Sequence, residues 1–183
     1  SIIPMGVLEN AIRNDMNENA PRLMAVLDPI KVVLTNYPED KVEWLDAAVH
    51  PQKPEMGSRK VPLSREIWIE RGDFMEDPPR KFFRLRPDGE VRLRNAYVVQ
   101  AESVVKDEAG EVTEVHVRYD SQTIGVDPAD GVKPKGVIQW VSATEGKPIT
   151  VRLYDRLFAS ATPESTDDGD IFSCVNPDSL TTL

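Results

Sequence analysis

Six cations fall within fifteen residues of this sequence: Arg80, Lys81, Arg84, Arg86, Arg92 and Arg94. They stand in a chain of net charge -9. Read as strands, 81–86 and 91–106 are joined by the short turn "RPDGE" (86–90). Period-two alternation then sets Arg92 and Arg94 on one face and Val91 and Leu93 on the other. Neighbouring antiparallel strands lie about 4.8 Å apart and same-face side chains repeat about every 6.8 Å. On one ribbon face Arg84, Arg86, Arg92 and Arg94 would therefore crowd within roughly 10–15 Å. Like charges that close repel. A polyanion, or base edges that need forked donors, would give a reason to hold them there. The alternative is a solvated hairpin face neutralised by Asp88 and Glu90. Patterning alone leaves both open.

Other chemistry is sparse. Cys174 is the single cysteine, so no internal disulfide forms, and a reduced cytoplasmic protein is expected. Its segment, "IFSCVN", reads as a strand carrying a small, buried, inert thiol. The two histidines, His50 and His116, make no metal-ligand spacing with it or with each other. His116 alternates with Val115 and Val117, which places it on a polar face. No Gly-rich loop opens a helix to cradle phosphate, and no nucleophile elbow is present. "DPADG" (127–131) lacks the ligand alternation of a calcium loop and reads as a surface turn. Catalysis within these residues is not expected. An acidic pI near 4.8 disfavours indiscriminate nucleic-acid binding but not a local basic site.

The elements that would position these residues are mostly strands. Residues 5–17 carry Leu8, Ala11, Ile12 and Met16 on one helical face, and Pro21 forbids continuation. Beyond it, strands are expected at 22–27, 30–36, 65–71, 81–86, 91–106, 111–120, 135–142, 149–159 and 171–175. "KDEAGE", with Gly110, signals a hairpin. Stretches 50–62, 75–80, 125–136 and 161–170 read as loops, the last containing an acidic run at 164–170. Many short strands suggest antiparallel barrels or sandwiches, with 125–134 as the boundary between two modules. No apolar run reaches the roughly 18 residues of a membrane span. The start lacks an initiator Met and a signal peptide, which suggests a piece of a longer chain.

Longer motifs carry a resemblance. "HPQKPEMGSRKVPLSREIWIERGDFM" (50–75), "EVRLRNAYVV" (90–99), "KGVIQWVSA" (135–143) and "VRLYDRLF" (151–158) closely resemble the C-terminal, anticodon-binding part of bacterial-type glutaminyl-tRNA synthetases. "LENAIRNDMNENAPRLMAVLDPIKVV" (8–33) is similar to the family's connecting helix and the entry to its first barrel. The resemblance covers essentially the whole chain. It implies a mainly β fold of two small antiparallel β-barrels, similar to a 5S-rRNA-binding ribosomal protein, after a short N-terminal helix. The implied domains are a connecting segment (1–20), a first anticodon-binding barrel (21–134) and part of a second barrel (135–183). The family's chain continues past "VNPDSLTTL", so the second barrel is expected to be incomplete here.

The family joins glutamine to tRNA(Gln) with ATP and Mg²⁺ in a Rossmann domain marked by "HIGH" and "KMSKS". Neither signature occurs in this sequence, so these residues alone are expected to be non-catalytic and to need no cofactor of their own. The resemblance implies roles for particular residues. Arg22 matches an arginine at the middle anticodon base and Arg84 one at the third. Arg92 and Arg94 match the pair near the first base and its backbone. Asn17 matches a residue beside the distorted pairs that flank the anticodon, and Lys81 shares Arg84's segment. Phe83 stands where some relatives carry a basic residue, so one third-base contact there would be weaker or replaced by stacking. The implied partners are tRNA(Gln) and the catalytic domain of the same parent chain, with no membrane, in a monomer. Two rivals stand beside this: the barrel of an archaeal or eukaryotic glutamyl enzyme, and a protein-interaction barrel whose arginine face docks an acidic partner.

Overall fold

The computed structural model describes residues 3–165 and 169–183; residues 166–168 of the expected acidic loop lie outside them. The chain divides into two compact units, Ser1–Gly146 and Lys147–Leu183. The first opens with helix α1 (Met5–Asn19). Ala20 is already extended, as Pro21 requires of its predecessor. No residue of α1 is buried, so the apolar stripe read from the sequence is present but uncovered.

The strands of the first unit are β1 (Pro29–Leu34), β2 (Glu43–Ala48), β3 (Ser58–Leu63), β4 (Glu66–Glu70), β5 (Glu90–Leu93), β6 (Val98–Lys106), β7 (Val112–Asp120), β8 (Val137–Ile138) and β9 (Val141–Ser142). Seven of them form one curled sheet in the order β8-β5-β6-β7-β1-β4-β9, and β2 pairs with β3 in a separate ribbon. Alternation decides which side faces inward. Ile30, Val32 and Leu34 of β1, Val91 and Leu93 of β5, and Val115 and Val117 of β7 are buried in one core. Leu45 and Ala47 of β2 and Val61 and Leu63 of β3 join the same core. The mainly β, barrel-type expectation agrees with this. Two pairings are parallel, β1 with β7 and β5 with β8, rather than antiparallel.

The β6–β7 hairpin forms as expected, with Gly110 at φ +83° in its turn. Other expectations are corrected. Residues 22–27 form no strand. The long strand 91–106 is broken after Leu93 by a tight turn with Asn95 at φ 59°, a conformation that Asn tolerates better than most residues. Residues 81–86 form no strand. Pro78, Pro79 and Pro87 deny the segment regular pairing, and it keeps one isolated bridge, Leu85 to Phe74. The β2–β3 ribbon was not expected. Its Pro62 lies in a two-stranded ribbon, where a missing N–H can be tolerated. The sequence boundary at 134/135 precedes β8 and β9, which hydrogen-bond to β5 and β4 of the first unit's sheet.

The second unit contains a short antiparallel pair, β10 (Arg152–Tyr154) with β11 (Leu180–Thr182). All six of its strand residues are exposed. Residues 171–174 form one turn of 3₁₀ helix instead of a strand, with the Asp170 carboxylate accepting from the Phe172 N–H at its start. Cys174 is therefore half-buried on a helical turn, not sealed in a sheet.

Candidate nucleic-acid interface

The clustered cations do not share one ribbon face. β5 pairs with β6 and β8, so no strand bearing Arg84 and Arg86 lies beside Arg92 and Arg94. A different grouping replaces the expected one. Arg80, Arg84 and Arg86 line an open cleft of about 660 Å³ together with Lys133 and Lys135. Asp88 and Glu90 also line it, so cations outnumber carboxylates five to two. Lys133 and Lys135 were missed because "GVKPKG" reads as a boundary loop. Two lysines flanking a proline were the available signal.

Backbone packing fixes the cleft walls. Gly136 lies so close to the preceding segment that a Cβ there would sit 1.9 Å from the Phe83 carbonyl oxygen. Its own carbonyl accepts from the Arg92 N–H at 3.0 Å. The Arg84 guanidinium is more than half exposed and pairs with Asp73 at 3.1 Å. Burial raises the Asp73 carboxyl above its usual range, with Arg84 pulling the other way and Glu70 adding to the rise. Lys81 is exposed outside this lining.

Arg92 and Arg94, two residues apart, sit in opposite circumstances. The Arg92 side chain is 19% exposed. Its Nη1 donates to the carbonyls of Ala96 (3.2 Å) and Thr123 (2.6 Å), and its Nη2 to that of Val126 (2.5 Å). The Asp127 carboxylate lies 3.5 Å from Nη2 and also 3.7 Å from Lys133. Arg92 thus pins the loop after β7 that delivers Lys133 and Lys135 to the cleft. The Arg94 side chain is exposed, with no hydrogen bond or ion pair among the described residues. Its carbonyl accepts from the buried Trp140 indole at 2.9 Å, which holds its backbone in place.

Arg22 and Asn17 meet at the C-terminus of α1. The Arg22 guanidinium donates to the carbonyls of Met16 (3.1 Å) and Asn17 (2.8 Å). His50, 2% exposed, adds a second donor to the Asn17 carbonyl at 3.0 Å. The Gln52 N–H donates to Nδ1 of His50, which leaves the imidazole proton on Nε2, facing Asn17. Lys53 reaches the Asn19 side chain at 3.0 Å. Arg22 and His50 satisfy the Asn17 carbonyl that the helix end leaves open, the Met16 carbonyl accepts from Arg22 beside the Ala20 N–H, and the cations complement the helix dipole. His50 was not singled out from sequence. His116 lies half-buried on β7, 2.6 Å from Glu114.

Comparison with known proteins decides the family. The family described as tRNA synthetases class I (E and Q), anti-codon binding domain, matches residues 20–120, and a second domain of the same description matches 137–183. The chain belongs to this family. It is 55% identical over 183 residues to the glutamine–tRNA ligase of Vibrio vulnificus (strain YJ016), covering all of this chain and 33% of that protein. It is 54% identical over 178 residues to that of Idiomarina loihiensis, covering 97% and 31%. With that of Aliivibrio salmonicida it shares 54% over 182 residues, covering 100% and 33%. The chain thus spans about a third of the length of these relatives. Among the described residues no helix is long and apolar enough to cross a membrane, and no group of three or more His, Cys, Asp or Glu could hold a metal ion.

Proposed function

We propose that this chain is the anticodon-binding part of a cytoplasmic, monomeric glutamine–tRNA ligase and that it grips the anticodon loop of tRNA(Gln). The carrying observation is the cationic cleft, which presents Arg84 on a backbone packed against Gly136. Family membership directs that cleft toward RNA. Unpaired loop bases expose their edges, and an arginine fork matches base acceptors. Arg84 serves the third base and Arg22 the middle one. Arg94, whose guanidinium engages no group among the described residues, serves the first base or its phosphate. Arg92 supports the first-base region through the loop it pins. Asn17 lies beside the flanking pairs, and Lys81 adds charge. Joining glutamine to tRNA with ATP and Mg²⁺ belongs, in this reading, to the catalytic domain of the same parent chain. The residues present offer no Gly-rich phosphate loop for ATP, so no step of that reaction is assigned to them.

The test is binding of this chain to tRNA(Gln), to anticodon-substituted versions, to a non-cognate tRNA and to an acidic peptide. Cognate preference is expected. Arg84→Gln should lose about 5- to 150-fold for cognate RNA and blunt discrimination at the third base, the worth of one bidentate pair. A uniform loss with a shallower salt dependence would make Arg84 a phosphate contact. Preference for the acidic peptide would favour the protein-docking alternative.

A further inference from the structure

The cleft lining has apolar members among its cations, Phe82, Phe83 and the exposed Val132, and Phe83 presents an exposed aromatic ring. Phe83 is 52% exposed on a wall otherwise rich in cations. The Lys135 ammonium sits 5.5 Å from the centroid of its ring. The segment is anchored on both sides of this exposure. Leu85, two residues on, is fully buried, and Gly136 packs directly against the Phe83 carbonyl. Phe83 is therefore a phenyl ring held at the surface by a fixed backbone, at a cost in exposed apolar area.

We propose that Phe83 is a stacking platform for an unpaired RNA base in this cleft, with Lys135 beside the ring and Lys135, Lys133 and the neighbouring arginines together drawing in the flanking phosphates. The proposal rests on the RNA-binding reading above and adds a contact made through the base's π-face rather than its edge. Aromatic side chains among cations suit single-stranded nucleic acid, because every base has a face to stack and every nucleotide a charge to neutralise. A cation close to the ring adds its own attraction to an aromatic surface. A cleft of about 660 Å³ lies in the range of sites that accept small organic ligands. Stacking tolerates any base. Phe83 therefore contributes affinity, while Arg84 contributes choice.

The experiment measures binding of the tRNA(Gln) anticodon stem-loop to the full chain and to Phe83→Leu, Phe83→Trp, Lys135→Gln and Arg84→Gln variants, at several salt concentrations. Phe83→Leu should weaken binding about 5- to 150-fold, with anticodon preference and salt slope unchanged. Phe83→Trp should keep the affinity, and RNA should quench its added fluorescence; subtraction of the parent chain removes the signals of Trp44, Trp68 and Trp140. Lys135→Gln should lower the salt slope by about 0.7, the release expected for one single-strand phosphate contact. Phe83 lies outside the core, so circular dichroism should be unchanged. If the parent chain binds the stem-loop and Phe83→Leu binds it equally well, the stacking role is overturned and the RNA reading stands. If the parent chain does not bind the stem-loop, both fall.

Discussion

Arg92 places a permanent charge where water has little access, and four protein groups replace the lost solvent. A guanidinium can do this because its planar fork reaches several acceptors at once; an ammonium is a point charge. Arg92→Lys keeps the charge but cannot span the Ala96, Thr123 and Val126 carbonyls together. Hydrogen bonds to a charged donor are worth about 1.5–3 kcal/mol net, so a loss of about 2 kcal/mol in unfolding free energy is expected by urea titration. Amide exchange over residues 121–136 should quicken in the same variant. RNA affinity should drop at every anticodon sequence, because Lys133 and Lys135 lose their placement. A direct contact to the first base would instead show as lost preference at that position alone. Arg94, two residues along the chain and with no side-chain partner among the described residues, supplies the contrast: Arg94→Gln should leave stability within about 0.5 kcal/mol and change only RNA binding.

Helix α1 shows how little of its stability is its own. It has no side-chain N-cap and no acidic residue in its first turn, and it buries nothing. Isolated helices of about fifteen residues are marginal in water. What fixes α1 to the first unit is the clamp on its last carbonyls by Arg22 and His50. Arg22→Ala is expected to cost about 1 kcal/mol and to speed amide exchange over residues 5–19, while protection in β1, β6 and β7 persists. Equal protection of α1 in parent and variant would show that the clamp is dispensable. The helix itself was legible from the spacing of Leu8, Ile12 and Met16, and β1, β4, β6 and β7 from short runs rich in β-branched and apolar residues between turn signals. The β2–β3 ribbon was hidden because Pro54, Gly57 and Pro62 look like loop residues, although Pro62 occupies a tolerant ribbon position. Arg22 and Arg84 were named from resemblance, but their present partners, helix carbonyls and Asp73, are set by contacts far apart in sequence. Lys135 beside Phe83 was illegible for the same reason: fifty-two positions separate them, and only the approach of Gly136 brings them together.

At the scale of the whole molecule, a chain of net charge -9 carries, among its described residues, a cleft in which cations outnumber carboxylates, an arrangement that would disfavour indiscriminate polyanion binding while leaving a local cationic site. Its first unit is also tied together by a polar knot beside the core. Tyr37, Tyr97 and Tyr119 pack edge to face with centroids 5.2 and 5.1 Å apart. The Glu43 carboxylate accepts from the hydroxyls of Tyr37 (3.1 Å) and Tyr97 (2.9 Å), and Lys41 reaches it at 3.2 Å. Burial alone would raise the Glu43 carboxyl, but the donors prevail and hold it below its ordinary 4.5. Burial first, and then Glu43, pushes Tyr97 up to about 12 and Tyr37 further. The signs follow from linkage. A carboxyl lowered by folding stabilises fully above its unfolded value, and that contribution is lost as pH falls through the folded one. A tyrosine raised by folding stabilises fully below its ordinary 10.0, and that contribution is lost as pH climbs through the folded value. The knot is thus whole between about pH 5 and 9 and fails at both ends. Glu43→Gln keeps an acceptor for the tyrosines but removes the charge. It should cost about 1–2 kcal/mol at neutral pH, the worth of a charge-assisted bond in a partly exposed site. It should also flatten the acid limb of the stability profile below pH 4.5, where the parent chain steepens. The alkaline limb should persist in weakened form, because burial of the tyrosines, its largest cause, is untouched. Chemical denaturation of parent and variant from acid to alkaline pH measures this, and an acid limb equally steep in both would remove Glu43 as its source.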